Sequence, residues 1–147
     1  VRACGADGMV GGQVLDTVYD IGDAEGLTQL NRLKTGVMIS GAAELGCVAA
    51  KMNLGMRSQA LKYADGIGRA FQIRDDMLDV VGDAAVFGKT IGSDKEKGKV
   101  TFVDVLGLDG CAREVERCTE SAKAAVANWS DHMFLWELAD RMVGRNK

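Results

Sequence analysis

The segment MRSQALKYADGIGRAFQIRDDMLDVVG, residues 56–82, decides the fold class of this chain. Apolar residues recur along it at intervals that match successive turns of a helix, namely Leu61, Ala64, Ile67, Phe71, Leu78 and Val81. A period of about 3.6 residues is typical of one buried face of an α-helix. We therefore predict a long helix over residues 56–82 that ends at Gly82.

Similar stripes of apolar residues extend over the rest of the chain. One covers roughly 3–20, and a second runs from Leu27 to Val48 with a bend near Thr35-Gly36. Thr101 can cap a short helix and Asp109 a longer one over roughly 110–129, because short polar side chains accept hydrogen bonds at helix starts. The chain has no Pro among its 147 residues and no convincing stretch of period-2 alternation. We therefore predict an all-α fold.

Composition excludes several function classes. A net charge of −3 gives no broad basic surface for nucleic acid. No apolar run reaches the roughly 18 residues that a membrane span needs. The four cysteines form no Cys-x-x-Cys pair, and His132 has no metal-ligand spacing to them. Buried or idle thiols in a reducing cytoplasm are the favoured interpretation.

The sequence Asp75-Asp76-Met77-Leu78-Asp79 is the sharpest chemical feature. Asp75 and Asp79 are four residues apart and project from one helix face, beside the apolar stripe. Carboxylates so close together repel one another unless a cation neutralises them, and carboxylate oxygens are ligands that Mg²⁺ prefers. The alternative interpretation of this segment alone is an exposed acidic helix end.

A lysine-rich segment follows, from Gly88-Lys89-Thr90 to Lys99, with four lysines and several glycines. Beside three carboxylates it indicates a loop that could fold over a polyphosphate next to the metal, since Lys supplies a compact charge that suits phosphate. Polar residues also interrupt two apolar helices, at Lys34-Thr35 and at Gln13 and Asp16. A solvated loop and exposed helix faces are the alternative interpretations of these features.

Taken in order, these motifs resemble the C-terminal half of a trans-isoprenyl (polyprenyl) diphosphate synthase. The matching segments are Gly8 to Asp16, Arg32 to Gly36, Phe71 to Asp79, Gly82-Asp83, Gly88-Lys89 and Lys99. The ordered motifs span about residues 8–107, and details near the C-terminus look more like the bacterial short-chain farnesyl and geranylgeranyl type. The resemblance implies a helical bundle of the isoprenoid synthase type around a deep cavity, usually in a homodimer, and a cytoplasmic location.

The resemblance also implies roles for individual residues. Asp75, Asp76 and Asp79 match the family's second Asp-rich motif, which holds the allylic diphosphate through Mg²⁺. Roles near the diphosphate and the developing cation are implied for Lys34, Thr35, Gln72, Lys89 and Lys99. Substrate-lining roles are implied for Gln13, Asp16 and Phe71.

The implied reaction is a Mg²⁺-dependent, head-to-tail condensation of an allylic diphosphate with isopentenyl diphosphate. The family carries two Asp-rich motifs, and only the second is in this sequence. We therefore expect residues 1–147 to be the C-terminal part of a single domain whose other half lies upstream, and to be inactive alone. The alternatives are a non-catalytic or regulatory subunit of a prenyl synthase, a terpene cyclase and a scaffold bundle.

Overall fold

The computed structural model describes residues 2–19, 21–81 and 99–144, and within these ranges it contains helices and no strand. A short 3₁₀ turn over Arg2–Cys4 precedes the first α-helix, and a π-helical turn over Arg32–Gly36 separates the second α-helix from the third. The α-helices are α1 (Met9–Val18), α2 (Ala24–Asn31), α3 (Val37–Ala49), α4 (Leu54–Val81), α5 (Phe102–Val126) and α6 (His132–Val143). The all-α prediction is confirmed.

The predicted breaks in the helices have identifiable structural forms. A π-helical turn lies where the sequence predicts a bend, near Thr35-Gly36, and this form commonly marks functional positions. Thr101 caps α5 as predicted, through a capping box with Asp104. The two helices expected after Thr101 are both present within α5, one on each side of a kink at Gly107, whose φ of 67° and ψ of 165° are not helical. That left-handed backbone favours glycine because other residues would place a Cβ against the following carbonyl.

The first helix is shorter than predicted. The sequence pattern suggested a helix over roughly 3–20, but α1 starts only at Met9. Gly5 and Gly8 interrupt the preceding residues, and Gly8 has φ of −140° and ψ of −132°, which is incompatible with a helix. Glycine loses the most backbone entropy on entering a helix, so these positions favour the turn that the structure contains.

The core forms where the long helices α4 and α5 pack together. At one end a buried cluster combines residues of α2, α4 and α5: Leu27, Leu30, Ile73, Met77, Phe102 and Cys111. At the other end a second cluster combines α4, α5 and α6: Tyr63, Ile67, Ala122, Val126 and Ala139. The apolar stripe that the sequence predicts for α4 is therefore buried along most of its length.

Aromatic side chains, buried for Tyr63 and half-buried for Trp129 and Trp136, also fix α6 and the preceding turn through their polar atoms. The Tyr63 hydroxyl donates to the Leu135 carbonyl at 2.6 Å, and the Trp136 indole N–H donates to the Lys123 carbonyl at 3.0 Å. The Trp129 indole N–H donates to Gln59 Oε1 on α4 at 2.8 Å. These bonds let large amphipathic rings fill the core without an unsatisfied donor.

Several apolar side chains lie on the outside of the molecule. On α1 the residues Val10, Val14 and Val18 are 48%, 47% and 67% exposed, and on α3 Leu45 is 73% exposed. Val10, Val14 and Val18 are four residues apart, so they line one helix face. None of the helices in the described ranges combines the length and apolar character of a membrane span.

Gly12 allows α1 to approach the π-helical turn closely. A Cβ at this position would overlap the Lys34 amide nitrogen and lie 2.8 Å from the Leu33 carbonyl carbon, and both are backbone atoms that cannot rotate away. The missing side chain at position 12 therefore lets the backbone of Lys34 lie directly against α1.

We expect Gly12→Ala to lower the free energy of unfolding by about 1–3 kcal/mol, the usual cost of overpacking a tight contact. The matched control is Gly46→Ala in α3, where an added Cβ would meet nothing within 4 Å. That control should raise the free energy of unfolding by up to about 1 kcal/mol because Ala is the better helix former. Urea denaturation of both variants checks this, and equal stability of Gly12→Ala and the wild type would contradict the close approach.

Candidate functional site

The polar residues predicted from sequence meet at one end of the α4–α5 core. Asp16 comes from α1, Lys34 and Thr35 from the π-helical turn, and Gln72 and Asp76 from α4. Lys99 reaches the same place from the residues that precede α5. Four separate parts of the chain thus contribute to one polar cluster, which we call the lysine–aspartate site.

Asp16 holds two lysines on one oxygen atom. Asp16 Oδ2 lies 2.8 Å from Lys34 Nζ and 2.6 Å from Lys99 Nζ, and the Asp16 side chain is only 9% exposed. The two ammonium nitrogens therefore lie no farther apart than the sum of these two distances, about 5.4 Å. Two positive charges this close would repel each other without a carboxylate between them.

The pKa of Asp16 reflects this arrangement. Burial is the largest single influence and favours the neutral acid, but hydrogen bonds and charge from Lys34 and Lys99 together outweigh it and hold the pKa below 3.8. The carboxylate therefore stays ionised at neutral pH.

A second set of hydrogen bonds runs beside the first and connects the π-helical turn, α4 and α5. The Thr35 hydroxyl donates to Gln72 Oε1 at 3.3 Å, and Gln72 Nε2 donates to Asp76 Oδ1 at 3.2 Å. Asp76 Oδ2 in turn accepts the backbone N–H of Phe102, the first residue of α5, at 2.8 Å. Asp76 is 6% exposed, so a buried carboxylate fixes the start of α5 and the orientation of the Gln72 amide.

Two adjoining cavities lie at the site. The smaller has a volume of about 80 Å³, and its lining residues include Asp16, Lys34, Gln72, Asp76 and Lys99. The larger has a volume of about 700 Å³ and lies against α1 and α2. Residues shared by the two linings are Asp16, Leu27, Leu30, Lys99 and Val100. A small charged cavity therefore adjoins a roomier one whose lining mixes polar and apolar residues.

The three carboxylates of the acidic motif lie in different surroundings. Asp76 is buried within the hydrogen-bonded chain, while Asp75 and Asp79 are half-buried one turn apart on α4. Over residues 2–19, 21–81 and 99–144, no group of three or more His, Cys, Asp or Glu side chains is arranged to hold a metal ion. Two carboxylates on one helix face still fit Mg²⁺, which commonly takes one or two carboxylates and completes its shell with waters and substrate phosphates.

Three other residues that the sequence predicts for the site are not part of this cluster in the described structure. Gln13 is exposed on α1 and Phe71 is half-buried on α4, and neither lines the 80 Å³ cavity within the described residues. Lys89 lies outside the described residues. The sequence interpretation missed Asn31, which lines this cavity. The available signal was its spacing, since Asn31 comes three residues before Lys34 on a helical stretch.

Most of the cysteine thiols are buried. All four are free, and Cys47, Cys111 and Cys118 are buried. Burial raises the pKa of the Cys111 and Cys118 thiols to about 11, so both stay protonated at neutral pH. The prediction of buried or idle thiols is confirmed for these residues.

Comparison with known proteins relates this geometry to a family. The polyprenyl synthetase family model matches residues 4–132. The chain is 39% identical to the farnesyl diphosphate synthase of Escherichia coli strain K12, an alignment that covers 99% of this chain and 51% of that protein. It is 32% identical to the geranylgeranyl diphosphate synthase of Cyanophora paradoxa, covering 95% of this chain and 48% of that one.

A solved structure agrees with these relatives. The apo crystal structure of an FPP/GFPP synthase from Zymomonas mobilis superposes with a TM-score of 0.81 at 31% identity, covering 97% of this chain and 48% of that chain. The chain thus spans about half the length of the proteins that it matches.

The lowered pKa of Asp16 makes a pH prediction. A carboxylate whose folded pKa is depressed adds stability at pH values above its unfolded pKa of about 3.8, and this stability is lost as the pH falls through the folded pKa. We expect Asp16→Asn to be less stable than the wild type at pH 6–7, with a difference that shrinks below about pH 4. Urea denaturation across this pH range checks it, and a difference that did not depend on pH would contradict it.

The buried carboxylate of Asp76 makes a stability prediction. Asp76→Ala should lower the free energy of unfolding by about 1–3 kcal/mol, because it leaves the buried N–H of Phe102 without this acceptor. The control is Asp65→Ala on the exposed side of α4, which should change stability by no more than about 0.5 kcal/mol. Chemical denaturation compares the two, and similar losses in both variants would contradict the role of Asp76.

Proposed function

The chain belongs to the polyprenyl synthetase family, and on this premise we propose that it supplies the diphosphate-binding half of a prenyltransferase. The proposed reaction is a head-to-tail condensation of an allylic diphosphate with isopentenyl diphosphate, dependent on Mg²⁺. The observation that carries the proposal is the convergence of Lys34 and Lys99 on Asp16, beside Gln72 and the acidic motif of α4.

The positive groups suit the leaving diphosphate. When the allylic C–O bond breaks, its electron pair leaves with the diphosphate and an allylic cation remains. Lys34 and Lys99 would stabilise the negative charge that develops on the leaving group, because fixed charges need no reorganisation as the reaction proceeds. We propose the same role for Lys89, which lies outside the described residues.

The acidic motif suits a hard cation. Asp75 and Asp79 would hold Mg²⁺ from their half-buried positions on α4. Asp76 would instead act as a structural anchor within the motif, through its hydrogen bonds. Bound Mg²⁺ supplies further neutralisation of the diphosphate charge. Two carboxylates are enough because phosphates and waters complete the coordination shell of Mg²⁺.

The neutral polar side chains of Thr35 and Gln72 suit the allylic cation that remains after the diphosphate leaves. The Thr35 hydroxyl gives its hydrogen to Gln72, so its oxygen keeps lone pairs available to an electron-poor carbon. The alkene of isopentenyl diphosphate then attacks the allylic cation and forms the new C–C bond, and a proton is lost to the released diphosphate. No side-chain nucleophile is required. Gln13 and Phe71 would line the path of the substrates.

The exposed apolar residues support a larger assembly. Since the matched relatives are about twice as long, we include in the proposal that α1 and α3 pack against the other half of the same enzyme. Such packing would cover Val10, Val14, Val18 and Leu45, which are 47–73% exposed here. Homodimeric assembly and a cytoplasmic location remain predictions.

The test is a prenyl-transfer assay on the full-length gene product that contains this chain. With an allylic diphosphate, isopentenyl diphosphate and Mg²⁺ we expect a chain-elongated diphosphate, identified by mass spectrometry. Lys34→Ala should lower kcat by about 10²–10³-fold, the usual loss when one electrostatic stabiliser is removed. The matched control, Lys62→Ala at an exposed position on α4, should retain wild-type activity.

Other products would separate the alternatives. A cyclised product would favour a terpene cyclase, and no turnover would favour a non-catalytic subunit. The 147-residue chain alone should be inactive, and robust turnover by it would contradict the view that it supplies only half of the site.

A further inference from the structure

Asp16 is the point at which two lysines from distant parts of the sequence meet. Lys34 is 18 residues away along the chain and Lys99 is 83 residues away, yet both ammonium groups contact the same Asp16 oxygen. The Asp16 side chain is 9% exposed, whereas the lysine side chains are 38% and 35% exposed. The carboxylate is therefore the buried anchor and the lysines are the accessible groups.

We infer that Asp16 is a positioning residue, which converges Lys34 and Lys99 on a bound diphosphate without contacting the diphosphate itself. The inference rests on the proposed function, because it concerns the same site. It departs from the expectation that Asp16 lines the substrate path directly.

The hydrogen-bond capacity of lysine supports this role. Each ammonium carries three donor hydrogens. With one donor directed to Asp16, each lysine has two more hydrogens with which to bind a ligand. The diphosphate can therefore bind to both lysines while Asp16 keeps them in place.

The charge balance argues against direct ligation of a metal by Asp16. Its Oδ2 is already shared by two ammonium groups at 2.8 and 2.6 Å. A cation at this oxygen would have to displace both lysines or lie beside two positive charges. Asp16 accordingly acts on an anion through its lysines, and its negative charge also offsets the repulsion between them.

The Lys99 side chain is held in place at both of its ends. Three residues later, the N–H of Phe102 donates to Asp76, so the main chain is fixed at the start of α5. The Lys99 side chain extends from that fixed point and is held at its far end by Asp16. Removing the carboxylate would free the ammonium group while leaving the backbone anchor intact.

The experiment is calorimetric titration of the full-length protein with inorganic diphosphate, in the absence of metal. We expect Asp16→Asn to raise the Kd by roughly two- to tenfold, the lower part of the range for contacting groups that are coupled. In a Lys34→Gln/Lys99→Gln background the same substitution should change the Kd by less than about twofold, because a positioning residue has nothing left to position. Glu137→Gln removes a carboxylate of equal charge from the surface of α6, and it should leave the Kd unchanged.

Three outcomes would overturn the inference. The first is a Kd in Asp16→Asn that equals or falls below the wild-type value, and the second is an effect that persists in the lysine-free background. The third is no measurable binding of diphosphate by the wild type. Where Asp16→Asn does not fold, as judged by circular dichroism, Asp16→Glu replaces it. That variant retains the charge but displaces the meeting point, and its loss of affinity should likewise vanish in the lysine-free background.

The prenyl-transfer assay separates this inference from the proposed function. Binding that depends on Asp16 in a protein without prenyl-transfer activity would refute the proposed function and leave the positioning role standing. Prenyl transfer by a protein in which Asp16→Asn binds diphosphate as the wild type does would refute the positioning role alone.

Discussion

A carboxylate buried in a helical core must find hydrogen-bond donors, and the donors that Asp76 finds hold the functional end of the molecule together. One oxygen accepts from Gln72 on its own helix, and the other accepts from the backbone N–H of Phe102. Phe102 is itself buried at 1% exposure in the cluster formed by α2, α4 and α5. The start of α5 is thus fixed by a charge-assisted hydrogen bond on one side and by apolar packing on the other.

This anchor determines where the charged groups of the site can lie. Lys99 precedes Phe102 by three residues, so fixing the start of α5 brings Lys99 within reach of Asp16 on α1. The absence of a side chain at Gly12 brings the π-helical turn against the same helix, which delivers Lys34. Two backbone constraints, the fixed start of α5 and the close approach at Gly12, therefore bring the two lysines near Asp16. The Asp16 carboxylate then attracts both side chains.

Part of this arrangement could be predicted from local patterns. The long helix over the apolar stripe and the cap at Thr101 depend on neighbours three or four residues away, and both occur in the structure, while a π-helical turn lies at the bend expected near Thr35-Gly36. The outward position of Val10, Val14 and Val18 was not foreseeable in this way, since periodicity identifies an apolar face without identifying what covers it. The cavity-lining position of Asn31 likewise depends on the packing of α2 against α4 and the residues before α5.

By itself, the sequence of this protein determined an all-α fold, the helical positions of its polar residues and its resemblance to prenyl diphosphate synthases, because side chains one turn apart share a helix face. The tertiary structure alone decided which charges meet. It separated Asp76, which is buried as an anchor, from Asp75 and Asp79, and it brought Lys34 and Lys99 to one oxygen of Asp16. The physical reason is that long-range ion pairs and buried hydrogen bonds depend on the distance between helices in space, which local periodicity does not encode.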